Sequence, residues 1–292
     1  MTPEPRFPVR LPALDIDGTI IDHDLALHER TRVAIRGAVD RGVAVSLVTG
    51  RMATSARACA DQLGLTGPIV AYQGGLIRAM AEPASLGGRR RVGRLLLHTP
   101  LGSDVAREAV VWTRTQGLDP HINHLEHFIL RADDPRADDY SAFMGARARL
   151  VPDLLEAIRR PVSKILAVGS EADVMAAFAS ARARFAGRAE VTISNPRFLE
   201  FVAPGVSKGR AVRWLARQTG VPLSQTMAIG DQLNDLEMIA AVGHGVAMPS
   251  APAAVRAVAR HIAPPVEDEG AAQVIESMVL EMSGREPRAV PA

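Results

Sequence analysis

Short apolar runs alternate with helical patterns at the start of the chain, and this alternation constrains the fold more than any other feature. Three runs, Val9–Ile16, Val43–Val48 and Pro68–Tyr72, have the length and composition of buried strands. Between them, Glu29–Arg41 and Thr54–Leu63 carry apolar residues at helical spacing, and a glycine follows each. Strands joined by helices in this order run parallel in a sheet with helices on both faces. The sequence therefore predicts an α/β fold with a doubly wound parallel sheet, a Rossmann-like core.

The alternation stops after Tyr72 and resumes at Lys208. The middle of the chain mixes helices and strands without the parallel pattern, so it predicts a separate α+β unit inserted into the core. We expect residues 1–81 and 202–292 to form the core and residues 82–201 to form the insertion. Within it, Glu82–Arg94 is rich in Gly and Arg and predicts a hairpin turn or linker, with the arginines of 89–91 on a solvated turn.

The composition excludes several classes of protein. Apolar residues make up 47% and charged residues 23%, which indicates a globular chain. A net charge of +2 is too small to indicate a nucleic-acid partner. No apolar run approaches the ~20 residues that span a bilayer, and the first residues lack the pattern of a signal peptide, so we expect a cytoplasmic protein with no membrane partner. The lone cysteine, Cys59, excludes an internal disulfide, and its helical spacing predicts a buried thiol. Lys164 and Lys208 are the only lysines among 34 basic residues, which suggests sites that need a compact ammonium group.

Two carboxylates close the first predicted strand. Asp15 and Asp17 lie in the run DIDGT, at the carboxyl end where open α/β sheets bind ligands. Carboxylates this close repel each other in a closed site, and a divalent cation with a preference for oxygen ligands, such as Mg²⁺, removes the repulsion. The alternative interpretation is a simple strand-to-turn signal, because Asp, Gly and Thr are common in turns.

Three more polar clusters follow predicted strands or begin helices. Thr49–Arg51 offers a hydroxyl and free amides that suit a phosphate. Asp231 and Asp235 are four residues apart at a helix start and share one face, whereas helix capping needs only one of them. Lys208 begins a helix, where it opposes the helix dipole. A phosphate or a carboxylate cluster would explain that lysine, and a solvated side chain is the alternative.

The four clusters together resemble the motifs of the haloacid dehalogenase superfamily. The matching runs are DIDGT (Asp15–Thr19), LVTGR (Leu47–Arg51), SKG (Ser207–Gly209) and GDQLND (Gly230–Asp235). The inserted unit resembles the cap of the Cof-like subgroup of cap-bearing phosphatases, and the resemblance covers nearly the whole chain. Residues 73–75 read Gln-Gly-Gly where members often have Asn-Gly, and residues 249–251 read Pro-Ser-Ala where they often have Gly-Asn-Ala.

The resemblance implies an enzyme, a phosphoric monoester hydrolase that needs Mg²⁺. Asp15 would be the nucleophile that becomes an aspartyl-phosphate, and Asp17 would be the general acid and base. Asp15, the backbone carbonyl of Asp17, and Asp231 would hold the metal. The phosphate would be bound by Thr49, Gly50, Lys208 and Asn234, with Asp235 behind them as a partner of the metal site or of Lys208.

The inserted cap would read the rest of the substrate, a small phosphorylated metabolite whose identity the sequence leaves open. His121, Asn123 and His124 are the candidates for substrate contacts. With His127, the two histidines could instead form a metal site, or all three could be exposed loop residues. Two other functions on the same scaffold stay open: a catalytically silent metabolite-binding protein and a phosphomutase. A receiver-like phospho-acceptor is disfavoured because it needs no cap. We expect a monomer or a homodimer.

Overall fold

A computed structural model describes residues 8–22, 26–80, 93–144 and 146–281. The predicted arginine cluster at 89–91 lies outside the described residues. In chain order, the strands are β1 (Leu11–Leu14), β2 (Ser46–Leu47), β3 (Ile69–Ala71), β4 (Leu76–Arg78), β5 (Leu95–His98), β6 (Asp119–His124), β7 (His127–Arg131), β8 (Arg149–Val151), β9 (Lys164–Val168), β10 (Glu190–Asn195), β11 (Phe198–Val202), β12 (Thr226–Gly230), β13 (His244–Ala247) and β14 (His261–Ile262). The helices are α1 (Glu29–Asp40), α2 (Ala53–Leu63), α3 (Ser103–Thr115), α4 (Ala137–Met144), α5 (Leu154–Ala157), α6 (Glu171–Arg184), α7 (Lys208–Thr219), α8 (Leu236–Ala241), α9 (Ala253–Val258) and α10 (Gly270–Ile275). No helix among these residues is long and apolar enough to cross a membrane.

The core is a parallel sheet in the order β14-β13-β12-β1-β2, which confirms the predicted α/β class. The chain moves from β1 to β2 in one direction, and from β12 through β13 to β14 in the other. The strand order therefore reverses between β1 and β12. Ligands of open α/β sheets bind at such a reversal, beyond the carboxyl ends of the strands.

Both faces of the core sheet are covered by helices. On β1, Leu14 packs in the cluster that contains residues of α1, α2 and α10. Leu11 and Ala13 pack on the opposite side, with residues of α7, α8 and α9. Cys59 lies in the first cluster, so the structure confirms the predicted buried thiol, and burial raises its pKa to about 11. The doubly wound arrangement fixes the sheet edge on which the polar motifs meet.

A second, six-stranded sheet has the order β10-β11-β9-β6-β7-β8 and is antiparallel except for its last pair. One face packs against α3 and α6, which include buried Ala109 and Val174. The other face contributes Leu166 to a cluster that also holds Met52 of the core. We call this sheet and its helices the cap. The cap therefore lies against the core through the face opposite α3 and α6, where Ala137 and Tyr140 of α4 also pack.

A small antiparallel sheet, β3-β4-β5, lies beside the parallel sheet and joins it through one bridge from β2 to β3. The sequence placed Leu95–His98 inside the insertion, whereas this strand pairs with β4. The antiparallel pairing of β4 and β5 agrees with a hairpin at this point, although residues 81–92, which join them, lie outside the described residues. The domain boundaries at 81/82 and 201/202 stay predictions.

Candidate active site

Asp15 follows β1 directly, at the point where the strand order reverses. Its amide donates to the carbonyl of Ile229 on β12, at 3.0 Å, so its backbone still belongs to the sheet edge. Its carboxylate is buried and lies 2.7 Å from Nζ of Lys208. The first aspartate of the DIDGT run is thus held between two neighbouring strands and one cation.

Lys208 is completely buried between two carboxylates. Its Nζ lies 2.7 Å from Oδ1 of Asp15 and 2.6 Å from Oδ1 of Asp235. Helix α7 holds it there: Ser207 caps the helix by accepting from the amide of Arg210. Burial alone would lower the pKa of this ammonium, but the two carboxylates outweigh burial and raise it. Lys208 is therefore a permanent cation, and the solvated alternative is wrong.

Asp235 organises the loop that follows β12. Its Oδ2 accepts from the amides of Asp231, at 3.0 Å, and Gln232, at 2.9 Å, while its other oxygen meets Lys208. Of the two partners predicted for this carboxylate, the structure shows the contact with Lys208. Because each of its oxygens is occupied, Asp235 fixes both the lysine and the loop that carries Asp231.

The carboxylates of the cluster destabilise one another's charge. Burial, reinforced by the charge of Asp235, raises the pKa of Asp231 to about 7. Burial and the charge of Asp235 also raise the pKa of Asp15 well above its usual range, although Lys208 opposes the shift. Asp15, Asp231 and Asp235 each offer an oxygen, and these atoms lie within 4.8 Å of one another. Three crowded carboxylates beside one ammonium fit a divalent cation with oxygen ligands.

Gly18 allows this crowding. Its φ of +71° lies in the left-handed region, and a Cβ there would lie 2.5 Å from Oδ2 of Asp231. Thr19 adds a weak contact from Oγ1 to Oδ1 of Asp231, at 3.4 Å. The glycine of the DIDGT run is therefore required both by the turn and by the approach of the β12 loop.

Asp17 points away from the carboxylate cluster. Its carboxylate accepts two hydrogen bonds from the Arg51 guanidinium, one of them 2.8 Å long. The DIDGT run and the TGR run are thus joined by an ion pair. The proposed metal contact of Asp17 concerns its backbone carbonyl, and it stays a prediction.

Three of the four predicted phosphate residues, Thr49, Gly50 and Asn234, line one cavity of about 420 Å³. Thr49 accepts from the amide of Arg51 at 3.1 Å, so its hydroxyl is held within the loop. Gly50 presents its carbonyl to Lys164 at 2.9 Å, and Nδ2 of Asn234 donates to Gln73 at 2.9 Å. Residues from three of the four motifs line the cavity. The SKG motif does not line it, and its Lys208 lies behind Asp15. The lining from the core is Asp15, Asp17, Gly18, Asp22, Thr49, Gly50, Arg51, Met52, Ser55, Asp231, Gln232 and Asn234.

A family model for haloacid dehalogenase-like hydrolases matches residues 13–275. The chain belongs to this family. The match contains all four motifs, and it confirms the resemblance drawn from them.

Relatives and solved structures agree with this membership. The chain is 29% identical to an HMP-PP phosphatase of Serratia proteamaculans, over 83% of this chain and 84% of that protein. It is 25% identical to a 5-amino-6-(5-phospho-D-ribitylamino)uracil phosphatase of Bacillus subtilis, over 91% of this chain and 97% of that one. A haloacid dehalogenase-like hydrolase from Bacteroides thetaiotaomicron has a similar structure, with a TM-score of 0.77 at 26% identity, covering 92% of this chain and 99% of that chain.

The cap forms the other wall of the cavity in this hydrolase, but not with the residues expected for it. Of the three predicted substrate contacts, Asn123 lines the cavity and His121 and His124 do not. His121 is buried, with its ring centroid 4.3 Å from that of Tyr140 and its Nε2 3.3 Å from Asp119. His124 lies beside His98, with 5.9 Å between ring centroids.

The expectation for the two histidines is therefore corrected, and the physical reason is strand geometry. His121, Asn123 and His124 lie on one strand, β6, rather than in an exposed loop. The strand turns His121 into a pocket of aromatic side chains, and its last residue, His124, lies at the turn into β7. A metal site of His121, His124 and His127 is not among the clusters that the described residues form.

Three residues of the site were missed by the sequence analysis: Gln73, Lys164 and Glu200. All three are buried, and Lys164 and Glu200 line the cavity. The scarcity of lysine was a signal for Lys164. The signal for Gln73 was that this position differs from the Asn-Gly that members of the family often have. No feature of the sequence singled out Glu200, which lies in an apolar strand.

Proposed function

We propose that this hydrolase is an Mg²⁺-dependent phosphatase that transfers the phosphoryl group of a small metabolite to Asp15 and then to water. One observation carries the proposal. The carboxylate of Asp15 is buried at the cavity floor, 2.7 Å from the ammonium of Lys208, and lies in one cluster with Asp231. A nucleophile needs such a placement, whereas a protein that only binds its ligand does not.

In the first step, an oxygen of Asp15 attacks phosphorus, and the bond from phosphorus to the leaving oxygen breaks. Asp17, in its protonated form, supplies the proton that the leaving oxygen takes up. To do so, its carboxyl group gives up one of its two hydrogen bonds with Arg51 and keeps the other. In the second step, Asp17 takes a proton from water, which attacks phosphorus and frees Asp15. The two-step route lets one acid/base group serve both bond changes.

Charge neutralisation is the main catalytic demand, because the transferred group spreads its negative charge over three oxygens. Lys208 supplies a fixed positive charge next to Asp15, and the Thr49 hydroxyl, the Gly50 backbone amide and the Asn234 side chain supply donors. Asp15, Asp231 and the Asp17 carbonyl would hold Mg²⁺, which adds positive charge and orients the phosphoryl group when bound. The mutual repulsion of the carboxylates supports this assignment.

The substrate we propose is a small phosphorylated metabolite. The relatives whose names give a substrate act on small phosphorylated compounds, HMP-PP and a phosphoribitylamino-uracil. The cavity of about 420 Å³ has room for the phosphoryl group and a leaving group of this size. A cytoplasmic location and a monomeric or dimeric state stay predictions.

A panel of phosphorylated metabolites tests the proposal, with phosphate release measured in Mg²⁺ and again in excess chelator. We expect release from at least one ester in Mg²⁺, none in chelator, and none from Asp15→Asn under either condition. Isomerisation of a sugar phosphate without phosphate release would favour the phosphomutase. Tight binding of an ester that neither releases phosphate nor isomerises would favour the silent binding protein.

A further inference from the structure

A chain of buried hydrogen bonds runs from the cap to the proposed phosphate site. In the cap, Nζ of Lys164 donates to Oε1 of Glu200 at 2.8 Å. The same ammonium donates to the Gly50 carbonyl at 2.9 Å. The other oxygen of Glu200 accepts from Nε2 of Gln73 at 2.8 Å, and Oε1 of Gln73 accepts from Nδ2 of Asn234 at 2.9 Å. The chain thus reaches two of the groups expected to meet the phosphate.

The chemistry of Glu200 sets the direction of every bond in this chain. A carboxylate only accepts hydrogen bonds, so Gln73 must turn its nitrogen towards Glu200. Its oxygen then faces Asn234, which must present nitrogen in return. Reversing the amide of Asn234 would set its oxygen against the oxygen of Gln73. The Asn234 nitrogen keeps a second proton, which is what a phosphoryl oxygen needs.

Asn234 does not hold this orientation by itself. Its Oδ1 is buried and has no hydrogen-bond partner, so nothing on the oxygen side fixes the amide. The bond to Gln73 is the contact that distinguishes nitrogen from oxygen at this residue. The orientation of Asn234 is therefore imposed from the cap side of the site.

Gln73 is held in an unusual backbone conformation. Its φ is +62°, and that of Tyr72 is +50°, both in the left-handed region that residues with a side chain seldom adopt. Such conformations persist where the surroundings over-determine them. Gly50 also leaves room for Gln73, because a Cβ on Gly50 would overlap Nε2 of that side chain. The backbone and the neighbouring loop both adapt to place this one amide.

The ion pair of Lys164 and Glu200, which lies behind Gln73, has its hydrogen bonds satisfied. Lys164 and Glu200 are both almost fully buried, and Ser194 donates a further hydrogen bond to Oε1 of Glu200, at 2.6 Å. A buried pair with its hydrogen bonds satisfied is rigid, and removing one partner leaves an uncompensated charge. The rigid pair therefore holds Glu200 in place as the acceptor that orients the side-chain amides of Gln73 and Asn234.

We propose that Gln73 is a positioning residue, which transmits the acceptor character of Glu200 to Asn234 and so fixes the Asn234 amide for phosphate binding. The inference rests on the proposed phosphatase function and deepens it. Because Lys164 and Glu200 belong to the cap, the cap takes part in orienting the phosphate site. The family pattern has asparagine where Gln73 stands, and the longer side chain here spans from Asn234 to Glu200.

A double-mutant cycle with p-nitrophenyl phosphate as the probe tests whether Gln73 acts through Asn234. Gln73→Met keeps the length of the side chain and removes both hydrogen bonds. We expect it to lower kcat/KM about three- to tenfold, the effect of one ordinary hydrogen bond. In the Asn234→Ala background the same change is expected to have almost no effect on kcat/KM, because the amide to be oriented is gone. Gln116→Met, on an exposed residue, is the matched control.

The outcome that overturns the inference is an equal loss in both backgrounds, which would make Gln73 a structural residue only. Thermal unfolding of each variant separates the two cases, because a structural loss lowers Tm by the same amount with or without Asn234.

A second measurement needs no turnover, so it separates failure of this inference from failure of the proposed function. The side-chain amide signals of Gln73 and Asn234 are followed by ¹⁵N NMR in wild type, Gln73→Met and Glu200→Gln. We expect the Asn234 signals to shift and exchange faster with water in both variants. Asn234 signals that stay unchanged in both would refute the proposal, even if wild type hydrolysed no ester.

Discussion

The metal-free protein is expected to lose stability as the pH rises through 7, and Mg²⁺ is expected to remove this loss. The group responsible is Asp231, whose pKa burial and the charge of Asp235 raise from 3.8 to about 7. A carboxyl group with a raised pKa binds its proton more tightly in the folded chain than in the unfolded chain. It therefore stabilises the fold fully below pH 3.8, and that contribution is lost as the pH rises through about 7.

The size of the effect follows from the same value. Between about pH 6 and about pH 8, the folded protein gives up nearly one proton that the unfolded chain has already lost. This lowers the free energy of unfolding by on the order of 1 kcal/mol, or roughly 2 °C in Tm for a chain of this size. The raised pKa of Asp15 acts in the same direction. Bound Mg²⁺ competes with these protons, so the stabilisation by Mg²⁺ grows with pH.

Thermal unfolding in chelator and in millimolar Mg²⁺, across this range of pH, is the assay. Asp231→Asn is the matched control, because its neutral amide cannot titrate. In chelator, the variant is expected to be more stable than wild type at the upper end of the range, and the difference in their pH slopes isolates Asp231 from the histidines. A wild-type slope equal to that of Asp231→Asn would refute the reasoning.

Three further perturbations separate chemistry, fold and specificity. Lys208→Met should lower kcat/KM at least about a hundredfold on every ester of the metabolite panel, because the lost charge serves the phosphoryl group that all the esters share. The ranking of the esters should stay the same, and a changed ranking would contradict this role. Gly18→Ala should lower the free energy of unfolding, measured by denaturant unfolding, by about 1–3 kcal/mol. Gly102→Ala is the control and should change it little, because a Cβ there meets nothing within 4 Å. Equal losses in the two variants would count against strain at Gly18. Asn123→Ala should shift the relative kcat/KM of different esters by a few- to tenfold, while His124→Ala, outside the cavity, leaves the ranking unchanged; the reverse pattern would reassign the cap contacts.

The part of the site on the core was accessible from the sequence because topology brings it together. Asp15 and Asp231 each follow a strand of a parallel sheet, so both reach the same edge, and their distance in the chain does not matter. Lys208 was a candidate because a cation at a helix start opposes the dipole. The fold then showed what stabilises it, two carboxylates that arrive from different strands.

The cap wall was harder to predict because its central strands, such as β6 and β9, are buried on both faces. On β6, Ile122 packs under the cap helices while Asn123 faces the core, so polar and apolar residues alternate without a solvent-exposed face. His121 and His124 both lie on β6, where His121 packs against aromatic side chains and His124 ends the strand, so neither lines the cavity.

The network behind Asn234 depends on strand pairing that no local pattern reveals. Glu200 lies opposite Leu166 in the pairing of β11 with β9, and this register brings it to Lys164. Gln73 reaches Glu200 only because two successive residues adopt positive φ. An apolar strand with one acidic residue predicts burial of that residue but not its partner.

Acid-quenched single turnovers test whether Asp15 carries the phosphoryl group during catalysis. Excess enzyme is mixed with Mg²⁺ and the ester that the metabolite panel selects, quenched within the first turnover, digested and analysed by mass spectrometry. We predict a transient peptide containing Asp15 that is heavier by one phosphoryl group, formed before free phosphate appears and absent from Asp15→Asn. Phosphate release by Asp15→Asn at a rate within about tenfold of wild type, with no labelled peptide at any time, would contradict the account.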